Sequence, residues 1–212
     1  MTQRTDKAIS RPEFVDTDAE IVERKSMYKG FFELEELSVR HRLFGGGWSD
    51  TFSRELFKRG HAVVVIPYDP RRDEVVLIEQ FRVGALEDGR SPWLLELVAG
   101  IVEEGESDED VANREAQEEA GCEIKALEPV CEYWVSPGGT NETIAIYCGW
   151  VDTEGVGGIH GLPHENEDIR VEVVSSEVAF AALEDGTINN AASIIALQWL
   201  QMNRSRLQRL WN

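Results

Sequence analysis

The chain has 212 residues, a formal net charge of −19, and 42% hydrophobic and 29% charged residues. This is the balance of a soluble globular protein with one large domain or a main domain and a smaller piece, and without a basic patch its charge repels a nucleic-acid backbone. No apolar run reaches the roughly 18 residues of a membrane span, and Cys122, Cys131 and Cys148 form no C-x-x-C pair, which excludes a disulfide framework and a zinc site.

The opening residues MTQRTDKAISRPEF hold no apolar stretch of the secretory kind, so a cytoplasmic location is expected, and residues 1–20 read as a loose polar arm. From Met27 to Leu43 the apolar residues alternate with one break at Glu35-Glu36, which predicts strands joined by a turn there. After GGGW at 45–48 and the segment DTFSRELFKRGH come HAVVVIPYD and VVLIEQFRV, separated by DPRRDE. Two apolar runs around a Pro- and Asp-rich turn predict a hairpin. WLLELVAG then reads as one short buried strand leading to Gly100.

From Gly100 to Cys122, nine of 23 residues are Asp or Glu. Ser107 and Asp110 form a capping-box start and Gly121 a stop, which predicts a helix over 108–120. Beyond it, CEIKALEPVCEYWVS and ETIAIYCGWV read as strands around the turn SPGGTN, and residues 153–169 as a long surface loop. VEVVS is a further strand, Ser176 precedes a short helix EVAFAALED ended by Gly186, and Asn190 caps a final helix. Strands on either side of a central helix, with helices at the end, predict an α/β fold: a mixed sheet covered by helices.

On the predicted helix, Ala112, Ala116 and Ala120 make a narrow stripe suited to close packing, and Glu115, Glu118 and Glu119 lie beside it. Two unit charges about 5 Å apart repel by roughly 3 kcal/mol at an effective dielectric near 20. Arg114 can pair with Glu118 at i+4, but one arginine does not neutralise three carboxylates. An all-oxygen site of this kind suits a hard cation, Mg²⁺ or Mn²⁺.

The spacing Gly100, Glu106, Arg114-Glu115-Ala116, Glu118-Glu119, Gly121-Cys122 resembles the Nudix box at every fixed position, with small Ala116 and Cys122 at positions usually aliphatic. GFF at 30–32, RELFKRGH at 54–61, EQFR at 79–82, SPGGT at 136–140, ENEDIR at 165–170 and NNAAS at 189–193 extend the resemblance to the bacterial ADP-ribose pyrophosphatase branch, and Pro137, fifteen residues past Cys122, marks the same branch. The resemblance implies a Nudix α/β/α sandwich over 58–212 preceded by an arm and β subdomain over 1–57. It also implies a homodimer with exchanged N-terminal strands and Mg²⁺-dependent hydrolysis of ADP-ribose to AMP and ribose 5-phosphate. Another nucleotide sugar or dinucleotide as substrate, and a non-catalytic ADP-ribose sensor, are the alternatives.

The same resemblance implies roles. Glu115, Glu119, the carbonyl of Ala99 and Glu167 are the expected metal ligands; Glu118 belongs to that shell, Arg114 orients the glutamates, and Glu106 braces the loop through Arg114 or a backbone amide. Glu165, on the 153–169 loop, is the expected catalytic base. Arg54, Arg59 and Arg82 are the expected cations for the diphosphate, with Glu55 and Glu142 on polar substrate groups and Phe31 or Phe32 stacked on adenine. Ile101 and the turn residues Ser136, Pro137 and Gly138 complete the expected substrate contacts. His160 and His164, in a glycine-rich loop, are expected to face solvent.

Overall fold

The structure is a computed structural model that describes residues 11–87 and 89–211, apart from the side chain of Glu165. It divides into two compact units, residues 1–59 with 136–141, and residues 60–135 with 142–212. The first ten residues of the predicted arm lie outside the described residues.

In the smaller unit, β1 (Ala19–Lys29), β2 (Glu33–His41) and β3 (Phe52–Lys58) form an antiparallel sheet in that order. Order thus begins inside the predicted arm, with a single 3-10 turn at Asp16–Asp18 leading into β1. The chain turns at Gly30–Phe32, where the Gly30 N–H donates to the Phe32 carbonyl at 2.9 Å, and not at Glu35-Glu36 as the pattern predicted. Glu35 breaks the alternation because it is a buried carboxylate, held by Arg24 at 2.8 Å and Lys58 at 3.1 Å. A pattern that treats every Glu as outward-facing mistakes this pair for a turn. Residues 136–141 join this unit through Phe57, whose N–H donates to the Gly139 carbonyl at 2.8 Å, and through Asn141, whose Oδ1 accepts from the Arg59 N–H at 2.8 Å.

The larger unit contains β4 (His61–Asp69), β5 (Glu74–Phe81), β6 (Trp93–Glu96), β7 (Val98–Ile101), α1 (Asp108–Ala120), β8 (Ala126–Trp134) and β9 (Thr143–Trp150). It continues through β10 (Gly158–His160), β11 (Ile169–Ser175), α2 (Ser176–Glu184) and α3 (Ala191–Trp211). The sheet order is β10-β11-β5-β4-β9-β8, with β6 beside β5 and β7 beside β4. β4 and β9 run parallel while the other pairs are antiparallel, so the sheet is mixed.

Both faces of its centre are covered. Val63, Val65, Val76 and Ile78 pack with Val111, Ala112, Ala116 and Ala120 of α1. Val64, Ile66, Tyr68, Val75 and Leu77 pack on the other side with Phe180 of α2 and Leu197, Leu200 and Leu207 of α3. Strands buried on both faces read as continuous apolar runs, as HAVVVIPYD does. Each fully buried Val, Leu or Ile contributes about 1.5–3 kcal/mol.

The predicted hairpin is only a short ladder, because β4 and β5 pair at Tyr68–Val75 and Asp69–Glu74 and then part. The wedge between them is filled by the stretch predicted as one strand. It is two: β6 pairs with β5 from Ile78–Glu96 to Phe81–Trp93, Leu97 switches the chain across, and β7 pairs with β4 from Val65–Val98 to Ala62–Ile101. Diverging strands leave backbone donors and acceptors unmatched, and a bridging segment satisfies both edges. The predicted 153–169 loop likewise contains β10, paired with β11, and a 3-10 turn at Pro163–Glu165. Ser175 rather than Ser176 caps α2, accepting from the Val178 N–H at 3.3 Å. Among the described residues no helix is long and apolar enough to cross a membrane.

Candidate active site

Helix α1 spans the predicted residues, with Ser107 accepting from the Asp110 N–H at 3.2 Å and Gly121 in the left-handed conformation at φ 63°. Its alanine stripe is buried against the sheet, which draws the neighbouring glutamates in with it. Glu115 lies directly over the backbone of Gly100, where a Cβ would stand 1.9 Å from its Oε1. No residue but glycine fits there while the glutamate keeps its place.

Glu119 is only 3% exposed, and its Oε2 accepts from the Ala99 N–H at 2.9 Å, which brings the residue of the expected ligand carbonyl alongside it. Burial pushes the Glu119 carboxyl up to about 8 against the help of that N–H, and the charges of Glu115 and Glu167 add to the rise while Arg82 opposes it. Glu115 is also raised, first by burial and then by Glu118 and Glu167, with Arg114 pulling the other way.

Arg114 ties the cluster together. Its Nε and Nη2 donate to the two oxygens of Glu106 at 3.0 and 3.2 Å, and its Nη1 reaches Glu115 at 2.7 Å and Glu118 at 3.3 Å. Glu106 also accepts from the Glu103 N–H at 3.1 Å, so both expected bracing partners are in place, and the Arg114 bonds hold its carboxyl below the usual range. The fork fixes the guanidinium, which in turn fixes the direction of two glutamates.

Glu167 comes to the same place from the 153–169 segment: its charge acts on both Glu115 and Glu119, and its carboxylate accepts from the Leu162 N–H at 3.3 Å. The side chain of Glu165, the expected base, lies outside the described residues. Arg82 donates from Nε to Glu96 Oε2 at 2.8 Å and pairs with the same oxygen through Nη2 at 2.8 Å, and its charge is felt at Glu119. Ile101 ends β7 partly exposed, and Glu142 lies half-buried just before β9.

The smaller unit holds the remaining expected contacts. Phe31 is 89% exposed and meets the edge of Phe32 at 4.7 Å between ring centroids, while Arg59 lies 4.5 Å above the Phe32 ring. Arg54 donates to the Ser53 carbonyl at 2.8 Å, Glu55 is exposed on β3, and exposed Ser136, Pro137 and Gly138 form a turn in which the Ser136 carbonyl accepts from the Gly139 N–H at 3.0 Å.

Two features escaped the sequence reading. His61 is hydrogen-bonded through Nδ1 to Thr143 Oγ1 at 2.7 Å and through Nε2 to Asp108 at 3.2 Å, and so ties β4 and β9 to the start of α1. His160 is not solvent-facing but half-buried, bonded to the Gly157 carbonyl at 3.1 Å and packed over Gly121, where a Cβ would stand 2.8 Å from its ring. The stop glycine of α1 leaves room for that ring, a contact no spacing discloses. His164 is exposed, as expected.

Among the described residues no three His, Cys, Asp or Glu side chains converge as a ready-made metal cage, since Glu115 is turned onto Arg114 and Glu119 onto the Ala99 N–H. The donor chemistry nevertheless fits a hard divalent cation: carboxylate oxygens with one backbone carbonyl nearby, crowded and desolvated enough that Glu119 holds its proton near neutral pH. A cation there relieves the charge that a proton otherwise cancels.

Residues 58–200 match the NUDIX domain family. The chain belongs to that family. It is 55% identical over 198 residues to an ADP-ribose pyrophosphatase of Escherichia coli strain K12, covering 93% of this chain and 95% of that protein. An ADP-ribose pyrophosphatase of Haemophilus influenzae is 49% identical over 201 residues, covering 93% of each. A solved structure described as an ADP compounds hydrolase shares the NUDIX fold with a TM-score of 0.68 at 20% identity, covering 90% of this chain and 97% of that one. The matched region contains the Gly100–Cys122 stretch, whose Glu115 and Glu119 lie at Gly100 and Ala99.

Proposed function

We propose that this NUDIX chain hydrolyses the pyrophosphate bond of ADP-ribose, giving AMP and ribose 5-phosphate, with Mg²⁺ or Mn²⁺ as the cation. The observation that carries the reading is the pair of desolvated carboxylates Glu115 and Glu119 over Gly100 and Ala99, both pushed up by burial, within a chain about half identical to proteins named for that reaction over nearly its whole length.

Glu115, Glu119, Glu167 and the Ala99 carbonyl would hold the cation, with Glu118 beside them. Once bound, a divalent ion neutralises the diphosphate and lowers the pKa of the attacking water. The chain does the rest. Arg114 keeps Glu115 and Glu118 aimed at one place, Arg82 and Arg54 set positive charge against the diphosphate oxygens, and Glu165 accepts the water's proton. Phe31 or Phe32 holds the adenine, with Arg59, Glu55, Ile101, Glu142 and the Ser136–Gly138 turn around the rest of the substrate.

The reading extends to a homodimer with exchanged N-terminal strands, the smaller unit serving assembly and substrate contact and the larger one the chemistry. It is supported by β1, an edge strand exposed along all eleven residues that presents Ile21, Val22, Met27 and Tyr28 outward. A cytoplasmic location accords with three free cysteines, two of them buried. Incubation of the purified protein with ADP-ribose and Mg²⁺ in isotopically labelled water should yield labelled AMP or labelled ribose 5-phosphate. Unchanged ADP-ribose across several divalent metals would overturn the assignment.

A further inference from the structure

Among the described residues, two buried side-chain polar atoms have no hydrogen-bond partner, Gln80 Nε2 and Ser193 Oγ. A serine hydroxyl can rotate toward a nearby backbone carbonyl, but a buried amide without a partner is costly and calls for an explanation. Gln80 is 6% exposed and lies near the end of β5.

Its direction follows from the strand's period of two. Val76 and Ile78 face α1, so Gln80 and Arg82 project on that side as well. Ile78 stands opposite Glu96 and Gln80 opposite Leu94, which makes Gln80 the diagonal neighbour of Glu96 on the same face, within reach of a long side chain. Glu96 is largely buried, with a side-chain exposure of 13% against 43% for Arg82. Among the described residues its polar partner is Arg82, which reaches Oε2 through both Nε and Nη2.

This arrangement creates a difficulty for any ligand that takes Arg82. Drawing the guanidinium toward a phosphate would strand a buried carboxylate, an expensive state. A spare donor, the Gln80 Nε2, stands on the diagonal to that carboxylate.

We propose that Gln80 is a positioning residue that takes over Glu96 when Arg82 turns to the diphosphate: the amide rotates to donate to the Glu96 carboxylate, so that Arg82 is released without leaving a buried charge unpaired. The proposal rests on the reading that Arg82 binds the diphosphate of ADP-ribose. It gives the unpartnered Gln80 amide a use, since the Glu96 carboxylate becomes available to it when Arg82 turns away.

The test compares wild type, Gln80→Met, Glu96→Gln and the double variant, using the α,β-methylene analogue of ADP-ribose with Mg²⁺ as the binding probe. Gln80→Met should leave the ligand-free Tm unchanged or raise it, weaken analogue binding about tenfold, and raise KM with little change in kcat. In the Glu96→Gln background, where the group left behind is neutral, adding Gln80→Met should have no further effect. Gln80→Glu, which places a second carboxylate beside Glu96, should bind the analogue more weakly than Gln80→Met. Wild-type affinity in Gln80→Met, a lower ligand-free Tm in that variant, or an equal loss in the Glu96→Gln background would each overturn the handover. If wild type fails to hydrolyse ADP-ribose and fails to bind the analogue, the functional reading itself falls and takes the handover with it. If wild type does both and Gln80→Met matches it, only the handover falls.

Discussion

The two halves of α1 carry the same kind of side chain and treat it in opposite ways. At the N-terminal end, Asp108, Glu109 and Asp110 meet the positive end of the helix dipole. Bonds from Ser107 hold the Asp110 carboxyl below its usual range, and Asp108 accepts from Tyr147 at 3.3 Å. Two turns later Glu115 and Glu119 are drawn into the sheet by the alanine stripe, and burial pushes both carboxyls up. An acidic run thus holds two populations: carboxylates already satisfied by the fold, and carboxylates desolvated beyond what their partners offset. In the proposed reading only the second kind has use for a cation.

Replacing one group from each half should separate them. Glu119→Gln is expected to have the largest effect, lowering kcat/KM on ADP-ribose by at least ~100-fold in product assays. The same change should leave the metal-free protein as stable as wild type or more so at pH 8, because it removes a buried charge. A fully active Glu119→Gln would remove the distinction between the two halves.

The next effect is a pH dependence that belongs to the second half alone. A carboxyl whose proton is held more tightly folded than unfolded stabilises the fold while protonated, and that contribution is lost as pH rises from the ordinary value of 4.5 through about 8. At about 1.4 kcal/mol per pKa unit, thermal or urea melts of the metal-free protein should show a decline of a few kcal/mol over that window. The decline should shrink markedly in Glu119→Gln, leaving the smaller part that belongs to Glu115, and flatten under saturating Mg²⁺. Mg²⁺ affinity measured by calorimetry should correspondingly weaken as pH falls below about 8, since the ion displaces a proton.

The smallest effect sharpens the comparison from the other end. Ser107→Ala removes the cap of the satisfied half and should cost about 1 kcal/mol, seen as a modest drop in Tm. Its kcat/KM should stay within about twofold of wild type, as for a change remote from the chemistry. A large activity loss here, without a matching loss of stability, would mean that the first turn belongs to the site.

Legibility followed the range of the interactions. The α1 boundaries were visible because Ser107, Asp110 and Gly121 act within one turn of the helix ends they terminate. The β4 strand was visible because burial on both faces leaves an unbroken apolar run. Glu35 was misread because its partners Arg24 and Lys58 come from other strands, and His160 because the glycine beneath it lies far off in the chain. The split of WLLELVAG into β6 and β7 depended on β4 and β5 diverging, a geometry with no local signature.

By itself the sequence determined the helix that carries the acids, their spacing along it, the resemblance to the Nudix box and the excess of negative charge, because these depend on residue identity and on contacts a few positions apart. Only the tertiary structure decided which glutamates are desolvated, that the Ala99 N–H meets Glu119, that Arg82 is tied to Glu96, and that the Gln80 amide is left without a partner. Burial and electrostatic coupling are set by which segments pack together, and that information is spread over the whole chain rather than written at the residues it affects.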